Sequence, residues 1–206
     1  MSKNESETLA KIHSVAEKEF LEKGFKNASL RNIVKEAGVT TGAFYGYYKC
    51  KEELFEALVS PMVEYFFQSH REIQERFNSL TPEKQRDLVE KYSEQHAVCG
   101  MKFAYENLNR MKLLLTAAGG TRHENFVHDL VEMEIESTRR FMQVMEEARL
   151  PVARLNPHFE HTITSGMYNS FFELIIHDVP YDEAMECSMK IYKFYQAGWS
   201  ACMGLK

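Results

Sequence analysis

Ala37-Gly38-Val39-Thr40-Thr41-Gly42-Ala43-Phe44-Tyr45-Gly46-Tyr47-Tyr48-Lys49-Cys50-Lys51-Glu52-Glu53-Leu54 is the stretch on which the fold turns. Gly38 suits the left-handed residue that ends one helix, Val39 packs the turn, and Thr40 or Thr41 can cap a new short helix running through Tyr47. Just upstream, Ser29 stands at an N-cap position, and Leu30, Ile33, Val34 and Ala37 make the apolar face of a short helix. Two short helices joined at Gly38, with Leu30, Ile33, Val34, Val39 and Phe44 able to share a core, fit a DNA-binding helix-turn-helix. In that motif the second helix enters the major groove, so it would offer Thr40, Thr41, Gly42 and Ala43, then Tyr45, Gly46 and Tyr47. Small residues let the backbone approach DNA, and hydroxyls and tyrosines reach phosphates. Lys51 opens the next helix, whose N-terminal amides also favour a phosphate.

Working outward, the pattern stays helical. Thr8 to Lys23 places Leu9, Ile12, Val15, Ala16, Glu19 and Phe20 at helical spacing, and Gly24 stops the helix. From Lys51 a long periodic segment passes Leu54, Phe55, Leu58, Met62, Phe66 and Ile73 towards Phe77, and Pro61 is expected to bend or break it. Pro82 to about Ala118, His123 to about Arg149, Pro157 to His177 and Tyr181 to Met203 follow, divided by Gly119-Gly120, Pro151 and the Asp178-Val179-Pro180 turn. No stretch alternates with a period of two. The expected fold is all-α with about nine helices. An N-terminal three-helix DNA-binding unit (1–52) joins a larger helical ligand-binding and dimerisation domain (53–206).

The quoted run resembles the signature of TetR-family transcriptional regulators, and Ala16, Phe20, Gly24-Phe25, Ser29-Leu30 and Ile33 fall where that family's first two helices place such residues. The resemblance covers about Ile12 to Leu58. It departs in three places. Leu9-Ala10-Lys11 replaces the usual basic opening of the first helix, Cys50 stands where a small polar residue is commoner, and Gly46 stands where a larger side chain is often found. Carried over by position, the resemblance implies that Ser29, Thr40, Tyr45, Tyr47 and Lys51 hold phosphates. Arg31, Thr41, Gly42 and Ala43 would face base edges, with Arg31 the candidate for a bidentate guanine contact. Tyr48, beside Phe44 and Leu54, reads as core packing.

Composition bounds the rest. The chain has 206 residues, 44% hydrophobic and 27% charged, which excludes a disordered protein. The longest apolar runs, Leu113-Leu114-Leu115 and Phe171-Phe172, fall far short of the roughly 18 residues that span a bilayer. Residues 1–5 carry mixed charge without the apolar core of a signal peptide, so a cytoplasmic protein with no membrane partner is expected. The four cysteines lie far apart without CxxC spacing and read as reduced thiols. Between Gly24 and Lys51 five basic side chains meet one acidic, a net +4 that leaves −9 on the remainder of a chain totalling −5. Such an island marks a polyanion contact or is a chance cluster on a solvated face; charge alone leaves both open.

Helix-turn-helix proteins usually bind paired half-sites as dimers, so a palindromic operator and a homodimer are expected. The last two helices offer the interface, with Ile163, Gly166, Met167, Ser170 and Leu174 on one and Ile191, Phe194 and Gly198 on the other. The same stripes can instead face the subunit's own core. The family resemblance supports a two-fold four-helix bundle here. It also implies a small-molecule effector in the helical body. Phe103, Met111, Phe126, Met133, Phe141, Met145, Tyr168 and Phe172 are the candidate pocket for a largely apolar ligand, beside the alternative of an ordinary core. Glu106, Glu134 or Glu173 can pair with a cationic ligand where buried, or lie on a solvated face.

There is no GxSxG, no phosphate-binding glycine loop and no HExxH, so no enzyme and no cofactor are expected. His158 and His161 share a helix face across Glu160, but without a third fixed ligand no metal is expected. The reading is a sequence-specific transcriptional regulator, a homodimeric repressor released from its operator by a small apolar effector. The alternative is a helical small-molecule or protein-binding module without specific DNA binding.

Overall fold

The computed structural model describes residues 3–205. Every regular element among them is helical: α1 (Lys3–Asn27), α2 (Leu30–Glu36), α3 (Thr41–Tyr45), α4 (Lys51–Asn78), α5 (Pro82–Glu106), α6 (Leu108–Lys112), a π-helical turn (Leu113–Ala117), α7 (Phe126–Glu147), α8 (Pro157–Ile176) and α9 (Tyr181–Met203). The all-α expectation holds, with nine α-helices among the described residues.

The chain forms two compact units. The first takes the residues to Glu64 together with Asn107–Phe126. Its buried apolar residues include Ile12, Ala16 and Phe20 of the α1 stripe, Ile33 of α2, Phe44 of α3 and Leu54, Phe55 and Leu58 of α4. Phe20 and Phe25 both meet the Phe55 ring edge-on, with centroids 5.1 and 5.2 Å away. The second unit takes Tyr65–Glu106 and the residues from Val127. There Phe77, Phe141, Met142, Met145 and Met203 form a buried cluster.

Several boundaries differ from the sequence expectation. Pro61 does not break α4, which runs from Lys51 to Asn78. Pro61 is exposed, so the hydrogen bond its ring nitrogen cannot make is lost on the outer face of the helix. The segment from Pro82 to Ala118 divides at Asn107, whose φ of −127° and ψ of 35° leave the helical region. Met101 and Ala104 before the break are buried in the second unit, whereas Met111, Leu113 and Leu114 after it are buried in the first. Helix α3 ends at Tyr45 and α7 begins at Phe126, each shorter than its periodicity predicts. Gly24 interrupts α1 at φ 71° and ψ 163°, the stop expected of it.

Candidate functional site

The helix-turn-helix is built from three local devices. Ser29 Oγ accepts the N–H of Asn32 and caps α2. At the other end Gly38, at φ +67°, lets the Val39 N–H return to the Val34 carbonyl at 3.2 Å, the left-handed close that ends a helix within one residue. Thr40 Oγ1 then accepts the Ala43 N–H at 3.1 Å and starts α3. Phe44 is wholly buried beneath this turn. Its neighbours Thr41, Gly42, Ala43 and Tyr45 are exposed, as is Arg31 in the first turn of α2. A Cβ on Gly42 would meet nothing closer than Thr40 Oγ1 at 4.0 Å, so its outer side is open.

A buried carboxylate fixes α1 to this motif. Glu19, 6% exposed, takes Lys23 Nζ on both oxygens at 2.8 Å and accepts the Ser29 N–H at 2.9 Å. The Lys23 ammonium, then the Ser29 amide, hold its carboxyl below the usual range against the opposing effect of burial. Glu19 sits in the apolar stripe of α1, ten residues before the cap it holds. A charge at an apolar-facing position was the signal for it.

Lys51 is tied inward, onto the end of α1. Its ammonium donates to the carbonyls of Phe25, Lys26 and Ala28 at 2.6, 3.3 and 3.0 Å and lies 4.5 Å from the Phe25 ring centroid. Three donors thus meet three acceptors, and what remains for a phosphate is the main chain at the start of α4. Tyr47 Oη donates to the Glu5 carbonyl at 3.2 Å. Tyr48 packs on Phe44 and its hydroxyl lies 2.5 Å from His13 Nε2.

The second unit holds a partly open cavity of about 160 Å³ among α4, α5, α7, α8 and α9. Met133, Phe141, Tyr168 and Phe172 of the candidate pocket line it. Phe103, Met111, Phe126 and Met145 do not. Phe103 stacks on Tyr65 at 3.5 Å, Met111 and Phe126 are buried residues of the first unit, and Met145 closes the cluster with Phe77 and Met203. Tyr92 and Met101, adaptable side chains of the same kind in the sequence, line it as well, whereas Phe66 and Phe171, with the helical spacing of ordinary core, were missed.

One wall of the cavity is polar. Glu134 faces it and accepts from Tyr168 Oη at 3.4 Å; burial raises its carboxyl, and burial together with Glu134 raises the Tyr168 hydroxyl. His96 lines the same wall, and His70 lies behind it against Ser137 Oγ at 2.8 Å. Burial lowers both imidazoles to about 4. Glu106 and Glu173 are exposed. Elsewhere His161 joins His128 and Glu132, not His158, in an exposed group.

Of the interface candidates, Ile163, Gly166, Met167, Ser170, Leu174 and Ile191 are half-buried within the single chain. Met167 also lines the cavity. Gly166 admits the Tyr195 hydroxyl so closely that a Cβ there would lie 3.0 Å from it, and Ser170 Oγ bonds the same hydroxyl at 3.2 Å. These small residues therefore already serve the packing of α8 on α9. Gly198 and Phe194 face outward, Phe194 with 76% of its surface exposed.

Comparison with known proteins agrees with this geometry. Residues 12–58 match the model of bacterial regulatory proteins of the tetR family. An HTH-type transcriptional regulator of Staphylococcus aureus (strain USA300) is 29% identical over 79 residues, 38% of this chain and 43% of the relative, so the chain spans less than half the length of that relative. The fold is similar to the TetR family transcriptional regulator PfmR from Thermus thermophilus, with a TM-score of 0.60, 16% identity and 89% and 96% of the two chains covered. It is also similar to the transcriptional regulator FadR from Bacillus subtilis in complex with stearoyl-CoA, with a TM-score of 0.53, 16% identity and 90% and 96% covered. No helix among the described residues is long and apolar enough to cross a membrane.

Proposed function

We propose that this chain, whose residues 12–58 match the model of bacterial regulatory proteins of the tetR family, is a sequence-specific transcriptional regulator of that family, a cytoplasmic homodimeric repressor that leaves its palindromic operator when a small apolar effector enters the cavity. The observation that carries the reading is the exposed edge of the helix-turn-helix, where Thr41, Gly42, Ala43 and Tyr45 stand free above a buried Phe44. An interior element would hide such residues, and a groove-reading element must present them. Arg31 and the Thr41–Ala43 edge read bases. Ser29, Thr40, Tyr45 and Tyr47 hold phosphates, and Lys51 contributes through its main chain. Residues 1–52 are the DNA-binding part and 53–206 the part that binds effector and partner subunit. Phe194 and Gly198, open on α9, support dimerisation through α8 and α9, where Ile163, Gly166, Met167, Ser170, Leu174 and Ile191 complete the stripe.

The cavity supports an effector of modest size. Its volume of about 160 Å³ is close to that of an engineered cavity that holds benzene. A long acyl chain would need the Met and Phe side chains of the lining to move. Release follows from population shift: an effector that binds better to the conformer unsuited to DNA lowers operator occupancy by that difference in affinity.

The test is selection of bound duplexes from a random DNA pool by the purified full chain, followed by affinity measured across salt. An enriched palindrome with a steep loss of affinity in salt is the expected result. Absence of enrichment, with and without cell extract to supply a co-ligand, would leave the binding-module reading in its place.

A further inference from the structure

Three side chains from three helices converge behind the polar wall: His70 of α4, His96 of α5 and Glu134 of α7. Hydrogen bonding fixes the tautomer of the first. The Ser137 hydroxyl donates to the Met133 carbonyl at 3.1 Å, so its oxygen is left to accept from His70 Nε2–H at 2.8 Å. His70 Nδ1 therefore carries a lone pair. This nitrogen is buried and makes no hydrogen bond, on a side chain only 4% exposed, and the atom opposite it is a Glu134 carboxylate oxygen 3.8 Å away. Two acceptors face each other with no donor between them, an arrangement that leaves a buried polar atom unpaired. A proton on Glu134 does not repair it, since an O–H···N bond needs a separation near 2.8 Å. His96 brings a third donor atom, and the ligand atoms of all three residues lie within 4.8 Å of one another. Between them is the place of a cation.

We propose that His70 Nδ1, a ring nitrogen of His96 and the Glu134 carboxylate bind one divalent transition-metal ion of the zinc class, with its exchangeable coordination position facing the cavity. Two imidazoles and a carboxylate are the donor set for such an ion, and three protein ligands leave the fourth position of a tetrahedral site open. With bonds near 2.0 Å, donors around a tetrahedral ion stand about 3.3 Å apart, so the His70–Glu134 pair must close by only about 0.5 Å. Outer partners are in place. Ser137 fixes the His70 ring and Tyr168 bonds Glu134. His96 and Glu134 both line the cavity, so an ion held there would give this mostly apolar chamber a point able to hold an anionic donor atom of a guest. The site requires no DNA binding, so its failure and the failure of the regulator reading are separate results.

The test is titration of the chelator-treated full-length protein with Co²⁺, followed by its visible d–d absorption, and with Zn²⁺ by calorimetry. A His161→Ala background removes the exposed His128–Glu132–His161 group. The expected result is one ion per protomer, the intense spectrum of four-coordinate cobalt and a rise in thermal midpoint on adding zinc. Glu134→Gln, which keeps size and fold, should weaken binding by more than the roughly 100-fold that loss of an outer partner reaches, and Ser137→Ala by roughly 10–100-fold. His70→Asn should abolish the cobalt spectrum, with helix content by circular dichroism confirming the fold. No ion bound in the His161→Ala protein, or binding indifferent to Glu134→Gln, overturns the proposal.

Discussion

Lys51 Nζ lies 2.6 Å from the carbonyl oxygen of Phe25, and with it closes the chain reversal after α1. Because all three ammonium donors point inward, Lys51→Ala should act first on stability. It strands three carbonyls at the end of α1 and removes the cation over the Phe25 ring, a loss of about 1–3 kcal/mol. A fall in thermal midpoint with the salt slope of DNA binding unchanged is the expected pair of observations. A slope flattened by about one unit with full stability would instead mean that the ammonium turns to a phosphate.

Gly42 separates folding from recognition. Its outer side is open, so Gly42→Leu should leave the free protein at least as stable, since leucine is the better helix former. Docked on DNA, the same side chain would occupy the space that the groove needs. Loss of operator binding with an unchanged or higher thermal midpoint is expected. The companion variant Arg31→Ala should weaken the operator complex by about 1–3 kcal/mol and relax preference at one base pair, read by repeating the selection.

Glu19 sets an acid limit on the first unit. Its carboxyl is held below the usual range by Lys23 and the Ser29 amide, so the unfolded chain binds its proton more readily than the folded one. The stability it contributes is present above its ordinary value of 4.5 and is lost as pH falls from there through the lower folded value. Glu19→Gln should therefore be less stable than the parent near neutrality, and the gap should shrink on acidification below about pH 4.5. Denaturant midpoints at several pH values read this directly.

Phe194 tests assembly. A phenylalanine with 76% of its surface in solvent is the most exposed large apolar group on α9, and Phe194→Asp should convert a dimer into monomers. Sedimentation should report the change of mass, and operator affinity should fall with it while helix content stays the same. A parent protein that is itself monomeric at all concentrations would remove this face from the interface.

Legibility in the sequence follows the range of the interactions. The helix-turn-helix is readable because its devices are local: Ser29, Gly38 and Thr40 act on residues three to five positions away. The break at Asn107 is not, since no glycine or proline marks it, and α4 runs on through Pro61 because that ring faces outward. Pocket residues are legible only as apolar and adaptable. Met133 and Met145 share that description, yet one lines the cavity and the other packs on Phe77. His70 and His96 lie on separate helices with no spacing to connect them, so nothing short of the fold brings them beside Glu134.

The titratable groups in the cavity lining, Glu134 and His96, have a calorimetric consequence. A guest held only by the Phe and Met walls removes apolar surface from water, and its heat of binding should become steadily more favourable on warming through a negative heat-capacity change. That heat should not depend on the buffer. A guest that reaches Glu134 and His96 and changes how many protons they hold gives a heat that carries the ionisation enthalpy of whichever buffer is present. The chamber thus sorts its visitors by whether they exchange protons with the solvent.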